Sequence, residues 1–261
     1  MGKKILFINQ EIAPFVPDST MAIIGRDLPQ YVQEQGNELR TFMPKWGNIN
    51  ERRCSLHEVK RLLGINIIIN DTDHPLLIKA ASVPQSRLQV YFIDNDEFFL
   101  RRKVDETPTT EHKAECAIFF ARAVLETVKK LRWVPDIIHC QGWMCAAVPF
   151  YIKTAFNEEP SFADTKIVST LFSEGLEGKL TGNYKESIAY RDIKPEMLKD
   201  YADDFDLLEL SKLALDYSDG IILGDAGISS EIVDRATQKG KPTVSFSDDI
   251  IAKCPAFYET L

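Results

Sequence analysis

The run KILFIN, residues 4–9, carries four apolar side chains in succession before polar residues return. A strand of a parallel sheet is covered on both faces and is continuously apolar, whereas a strand with one wet face alternates apolar and polar residues. Three short runs of the same kind follow at residues 136–140 (DIIHC), 166–171 (KIVSTL) and 220–224 (GIILG). The pattern predicts strands buried in a parallel sheet.

Helical segments separate these strands. Residues 20–35 can form a helix that begins with Thr20 as N-cap and stops at Gly36, before a strand at 38–43. Its predicted apolar stripe comprises Ala22, Ile23, Leu28 and Val32. Helical periodicity is clearest over residues 111–132, and further helical segments are 143–156, 206–217 and 229–239. Alternating strands and helices predict an α/β fold with a doubly wound, Rossmann-like parallel sheet.

Three β-rich runs interrupt the alternation, at residues 64–70, 75–83 and 87–93. They predict a small β-rich insertion over about residues 55–95. No low-complexity linker divides the chain, so we expect residues 1–261 to form a single domain. The last segment, residues 244–261, has mixed signals and receives no assignment.

Composition excludes several classes of protein. With 44% hydrophobic and 27% charged residues the chain can build a packed core, and its net charge of −8 argues against a nucleic-acid partner. No apolar run is long enough to span a membrane, and the apolar run near the amino terminus is too short for a signal peptide. Five cysteines without a C-x-x-C pair favour reduced thiols. We therefore expect a cytoplasmic protein.

The segment after the first strand contains no phosphate-binding loop. Ligands of doubly wound sheets bind beyond the carboxyl ends of the strands, where a dinucleotide site needs closely spaced glycines. Residues 10–21, QEIAPFVPDSTM, contain no glycine, and no Walker A pattern occurs in the chain. A nicotinamide-dependent dehydrogenase is thus disfavoured, and we predict no cofactor.

The same segment resembles the opening of bacterial glycogen and starch synthases, the glycosyltransferases of family 5. The matching pieces are Glu11-Ile-Ala-Pro-Phe15, Leu28-Pro29 and Met43-Pro-Lys-Trp-Gly47. A second block, Trp133 to Pro149 (WVPDIIHCQGWMCAAVP), is similar to the family's P-D-(I/V)-(I/V)-H-x-H-D-W pattern. The resemblance covers most of the chain and implies the N-terminal half of a two-domain GT-B glycosyltransferase, without the C-terminal domain that holds the nucleotide diphosphate.

Five positions or segments depart from the family pattern. The K-T-G-G-L loop, which contacts donor phosphates and sugar in the family, aligns with residues 17–21 (PDSTM). Proline lacks an N–H donor, and Asp18 brings negative charge to the place of a phosphate. The family's second histidine is Gln141 and its aspartate is Gly142, while T-I-H-N and V-S-P are replaced at residues 170–173 and 223–225.

The resemblance implies four substrate-binding residues, namely Glu11, His139, Gln141 and Trp143. Three of them have a structural alternative: support of a helix or loop for Glu11, a satisfied buried histidine for His139, and core packing for Trp143. We favour the structural alternative for Glu11 and Trp143. No residue is predicted to be catalytic. Asp94-Asn-Asp96 and Asp71-Thr-Asp73-His74 could suggest metal ligands, but turns are favoured at both, and no metal is predicted.

The resemblance implies transfer of glucose from ADP-glucose or UDP-glucose to an α-1,4-glucan with retention. Because the donor loop is altered and a second domain is missing, we expect this chain alone to be inactive or weakly active. It would then bind an α-glucan or oligosaccharide, with a sugar nucleotide as a doubtful ligand. The alternative is a glucan-binding or protein-interaction module that forms a homo-oligomer or binds a separate protein.

Overall fold

A computed structural model describes residues 2–100, 110–180 and 183–261 of the protein. Within these residues the strands are β1 (Lys4–Asn9), β2 (Glu38–Pro44), β3 (His57–Glu58), β4 (Ile65–Ile69), β5 (Thr72–Ser82), β6 (Gln89–Asp94), β7 (Ile137–Gln141), β8 (Lys166–Leu171), β9 (Gly220–Leu223) and β10 (Thr243–Val244). The α-helices are α1 (Thr20–Glu34), α2 (Thr110–Leu131), α3 (Ala147–Lys153), α4 (Asn183–Ser187), α5 (Leu207–Tyr217), α6 (Ser230–Gln238) and α7 (Ile250–Tyr258).

The strands form one twisted sheet in the order β10-β9-β8-β7-β1-β2-β6-β5-β3. All pairs from β10 to β6 are parallel, with Phe7 of β1 beside Thr41 of β2 on one side and His139 of β7 on the other. This arrangement confirms the predicted α/β fold with a doubly wound, Rossmann-like sheet. The carboxyl ends of β1, β7, β8 and β9 consequently lie side by side at one edge.

The β-rich region extends this same sheet. Strand β6 pairs with β2 in parallel, and β5 then pairs antiparallel with β6 and with β3. Strands β4 and β5 form a hairpin whose turn residues, Asn70 and Asp71, have positive φ angles of 48° and 61°. Asn and Asp tolerate this conformation better than most residues. Of the segment predicted as a turn, residues 71–74, only Asp71 lies in it, because Thr72 to His74 already pair with β4 as the first residues of β5.

Helix α1 differs in two details from the sequence-based prediction. Its N-cap is Ser19, whose Oγ accepts a hydrogen bond from the Ala22 N–H at 2.9 Å, and the prediction of Thr20 is wrong by one residue. Ile23, which belongs to the predicted apolar stripe, is 37% exposed, because Ile24 points inward instead. Gly36 follows the helix with a φ of 88°, as expected for a stop signal.

Hydrophobic layers cover both faces of the sheet. Helices α2, α3 and α5 pack on one face, where the predicted α2 residues from Ala114 to Val128 are buried. Helices α1 and α7 cover the other face and contact each other. Residues 244–261, which receive no assignment from sequence, thus supply the last residue of β10 and all of helix α7. Phe257 of α7 packs so closely on Gly220 that a Cβ there would lie 2.7 Å from the Phe257 ring.

None of the helices in the described residues is both long enough and apolar enough to cross a lipid bilayer.

Candidate functional site

An open cleft of about 350 Å³ lies at the carboxyl edge of the sheet. It is lined by Glu11, Ser19, Thr20, Met21, Phe172, Ser173, Glu174, Gly175, Asp225 and Gly227. These residues come from the loops after β1, β8 and β9 and from the first turn of α1, and the three loops are far apart in sequence. Three of the segments that depart from the family pattern, residues 17–21, 170–173 and 223–225, contribute to this one cleft.

Glu11 is the most buried carboxylate of the cleft, with 9% of its surface exposed. Its Oε2 accepts a hydrogen bond from the Ser19 hydroxyl at 2.8 Å, and its Oε1 accepts one from the Gln10 side-chain amide at 3.3 Å. A carboxylate has about four acceptor positions. Glu11 therefore keeps acceptor capacity for hydroxyl groups of a ligand.

The charge of the cleft is negative. Glu11, Glu174 and Asp225 line it, and among its described lining residues there is no lysine or arginine. Lys45, from the basic turn that matches the family, is buried elsewhere and pairs with Glu51 at 3.1 Å. The cleft thus offers hydrogen-bond acceptors and hydroxyls to a ligand, but no cation.

Gln10 occupies space that a side chain at position 142 would need. A Cβ on Gly142 would lie 2.7 Å from Gln10 Oε1 and 3.0 Å from the Met21 sulfur, and Gly142 has a φ of 91°. The Gln10 Oε1 also accepts a weak hydrogen bond from the Met144 N–H at 3.4 Å. The glycine that replaces the family's aspartate is therefore matched to its surroundings.

His139 lies inside the core and not at the cleft. It has no exposed surface, and its ring nitrogens contact the Tyr258 hydroxyl and the Thr170 hydroxyl, both at 2.6 Å. Both ring nitrogens are thus engaged within the core. The geometry agrees with the structural alternative, and contact with substrate stays a prediction.

The buried His139 predicts a specific pH dependence of stability. Burial lowers the pKa of the imidazole from 6.5 to about 3. The unfolded chain binds a proton below pH 6.5 while the folded chain does not, so this contribution is complete above pH 6.5 and is lost as the pH falls toward 3. Between about pH 7 and about pH 5 the loss should be about 2 kcal/mol.

Urea denaturation of the protein and of His139→Asn at both pH values measures this contribution. For each protein, the free energy of unfolding at pH 5 is subtracted from that at pH 7, so the pH-independent cost of the substitution cancels. We expect the wild-type chain to lose about 2 kcal/mol more than the variant. Equal losses of unfolding free energy in the two proteins would show that His139 does not titrate in this way.

Gln141 and Trp143 each donate a hydrogen bond to the backbone of a residue that lines the cleft. The buried Gln141 amide donates to the Met21 carbonyl at 2.5 Å, which ties the end of β7 to the first turn of α1. Trp143 is half-buried, and its indole N–H donates to the Gly175 carbonyl at 2.7 Å. Direct contact of either residue with a sugar remains a prediction.

The other candidate sites have structural roles. Asp94 forms an ion pair with Lys79 at 2.7 Å, while Asn95 Oδ1 accepts from the N–H groups of Glu97 and Phe98. Burial raises the pKa of Cys145 to about 12 and that of Cys140 well above its usual value. In the described part of the chain, no cluster of His, Cys, Asp and Glu side chains suits a metal ion.

Two residues that organise this region, Ser19 and Tyr258, carry no prediction from the sequence. For Ser19 a signal was available, because serine is at least as good an N-cap as the neighbouring threonine. For Tyr258 there was none, since its partner His139 is 119 residues away in the chain.

The family model for the starch synthase catalytic domain matches residues 4–242, most of the chain. The chain belongs to this family. The match confirms the resemblance seen in residues 11–15, 43–47 and 133–149.

Two glycogen synthases illustrate the relationship. That of Chlorobium limicola is 36% identical over 181 residues, which are 68% of this chain and 37% of the relative. That of Chlorobaculum parvum is 32% identical over 220 residues, 83% of this chain and 44% of the relative. This starch synthase domain thus spans less than half the length of these two relatives.

A solved structure shares the fold. It is the catalytic domain of Starch Synthase IV from Arabidopsis thaliana bound to ADP and acarbose. The TM-score is 0.78 at 17% identity, with 94% of this chain and 51% of the other covered. The fold described above is therefore that of one half of a GT-B glycosyltransferase.

Proposed function

We propose that this chain is the acceptor-binding half of a glucosyltransferase of the glycogen and starch synthase type. As one domain, residues 1–261 would hold the non-reducing end of an α-1,4-glucan in the cleft around Glu11. The reaction would be transfer of glucose from ADP-glucose or UDP-glucose. Residues 1–261 alone would perform it weakly or not at all.

The negative cleft is the observation that carries this proposal. A unit negative charge about 8 Å from a carboxylate costs about 2 kcal/mol at an effective dielectric constant of about 20. A nucleotide diphosphate would meet Glu11, Glu174 and Asp225 together and no cation among the described lining residues. A neutral sugar avoids this repulsion, because its hydroxyls can donate to carboxylates and accept from the Ser173 hydroxyl.

Calorimetry and NMR titration with maltotriose and with ADP-glucose test the proposal. We expect saturable binding of maltotriose and none of ADP-glucose. Glu11→Gln should weaken the binding of maltotriose about tenfold, because it removes a charge-assisted acceptor. The matched control is Glu158→Gln, the same change at an exposed position in the loop before β8, at the opposite edge of the sheet.

Three outcomes would count against this function. Tighter binding of ADP-glucose than of maltotriose would reverse the assignment of the cleft. Equal effects of the Glu11 and Glu158 variants on the affinity for maltotriose would show that the sugar binds outside this cleft. Rapid transfer of radiolabelled glucose by purified residues 1–261 would show that this part of the protein is sufficient for catalysis.

The donor half of the reaction would come from polypeptide outside residues 1–261. A homo-oligomer or a separate protein partner is the corresponding proposal for the interaction alternative. Light scattering at several protein concentrations, with and without maltotriose, separates association of this chain from sugar binding alone.

A further inference from the structure

Ser19 makes two hydrogen bonds in opposite roles. Its Oγ accepts from the Ala22 N–H at 2.9 Å, which caps helix α1, and donates to Glu11 Oε2 at 2.8 Å. A hydroxyl can do both at once, because it has one donor hydrogen and two acceptor lone pairs. One side chain therefore couples the first turn of α1 to the carboxylate of the cleft.

The surroundings keep this contact in place. Glu11 is held on its other oxygen by Gln10, and the backbone of the first turn of α1 is held by Gln141 through the Met21 carbonyl. Because the Glu11 carboxylate and the first turn of α1 are both restrained, the hydrogen bond from the Ser19 hydroxyl sets the orientation of the Glu11 Oε2 lone pairs. Glycine at position 19 could not make this contact, because it has no hydroxyl.

We propose that Ser19 is the positioning residue that sets the specificity of the cleft for a neutral sugar. Its hydroxyl fixes the Glu11 carboxylate across the loop, with the remaining acceptor positions directed to ligand hydroxyls. This inference rests on the proposed function, because it concerns how the same cleft selects its ligand. Ser19 acts through Glu11 and need not touch the sugar.

A double-mutant cycle between Ser19→Ala and Glu11→Ala, read as the maltotriose Kd, tests the coupling. Each single change should weaken binding about tenfold. The double variant should bind no more weakly than Glu11→Ala alone, because Ser19 then has no carboxylate to position. Additive losses of about a hundredfold would overturn the inference.

Ser19→Gly separates the cap from the positioning role. Glycine at an N-cap costs only a few tenths of a kcal/mol relative to serine but has no hydroxyl to donate to Glu11, so the melting temperature should change little while the affinity falls about tenfold. Ser19→Thr retains both hydrogen bonds and should bind as the wild type does. Unchanged affinity in Ser19→Gly, or lost affinity in Ser19→Thr at an unchanged melting temperature, would contradict the inference.

The melting temperature reports on folding in every variant. Ser19→Ala removes the cap and should lower it by about 2–4 °C, too little to unfold the protein at 25 °C. If the wild-type chain fails to bind maltotriose, the proposed function fails. If it binds and the cycle is additive, only the role of Ser19 fails.

Discussion

Tyr258→Ala is expected to lower the free energy of unfolding by about 3–5 kcal/mol, the range for truncating a buried aromatic residue. Tyr258 is 3% exposed, and its ring packs in the core that α7 shares with β1, β7 and α1. Removing the ring leaves a cavity and also removes the hydroxyl partner of His139 Nδ1. Urea denaturation at neutral pH measures the loss.

Tyr258→Phe is the matched control, because it keeps the ring and removes only the hydroxyl. The buried His139 Nδ1 would then lack a partner, which costs about 1–3 kcal/mol. The alanine variant should therefore be clearly less stable than the phenylalanine variant. If the two variants were equally stable, the hydroxyl of Tyr258 would contribute to the stability of the protein and the packing of its ring would not.

Arg122→Met is expected to lower the free energy of unfolding by about 2–6 kcal/mol. Arg122 is buried in α2, and its guanidinium donates to the Tyr151 hydroxyl and the Ser187 carbonyl, both at 3.0 Å in buried surroundings. It also donates to the carbonyls of Ile68 and Ala189. Methionine has no donor, so the Ser187 and Ala189 carbonyls would lose this partner at about 1–3 kcal/mol each, while the Tyr151 hydroxyl keeps its bond to the Ile188 carbonyl.

Arg122→Lys keeps the charge but cannot reproduce the planar set of donors. It should lie between the wild type and the methionine variant in urea denaturation. The matched surface control is Arg53→Met, which changes an exposed arginine in the loop before β3. A methionine variant as stable as this control would mean that water reaches the abandoned carbonyls and replaces the guanidinium.

Much of the fold could be predicted from sequence because its signals are local. Strand β1 has the predicted bounds, since a run of four apolar residues between polar ones suits only a strand covered on both faces. Asp206 begins α5 by capping the Glu209 N–H at 2.9 Å, in line with the predicted helix start. The periodic apolar face of α2 likewise specifies its own burial.

Other features depend on residues that are distant in sequence. Helix α7 contains Pro255, so its local pattern is ambiguous, and it is stabilised by packing on α1 and on Gly220. The inward direction at Ile24 instead of Ile23 depends on how α1 is rotated against the sheet. Local propensity cannot supply that rotation, because both residues are equally apolar.

The sequence by itself determined that the protein has a doubly wound α/β fold and that ligands should bind beyond the carboxyl ends of its strands. It also identified the segments around residues 17–21, 170–173 and 223–225 as departures from the starch synthase pattern. Only the tertiary structure brought these segments into one negative cleft, joined Ser19 to Glu11, and buried His139 in contact with Tyr258. The physical reason is that strand formation follows from neighbouring residues, whereas side-chain contacts and burial follow from how distant elements pack.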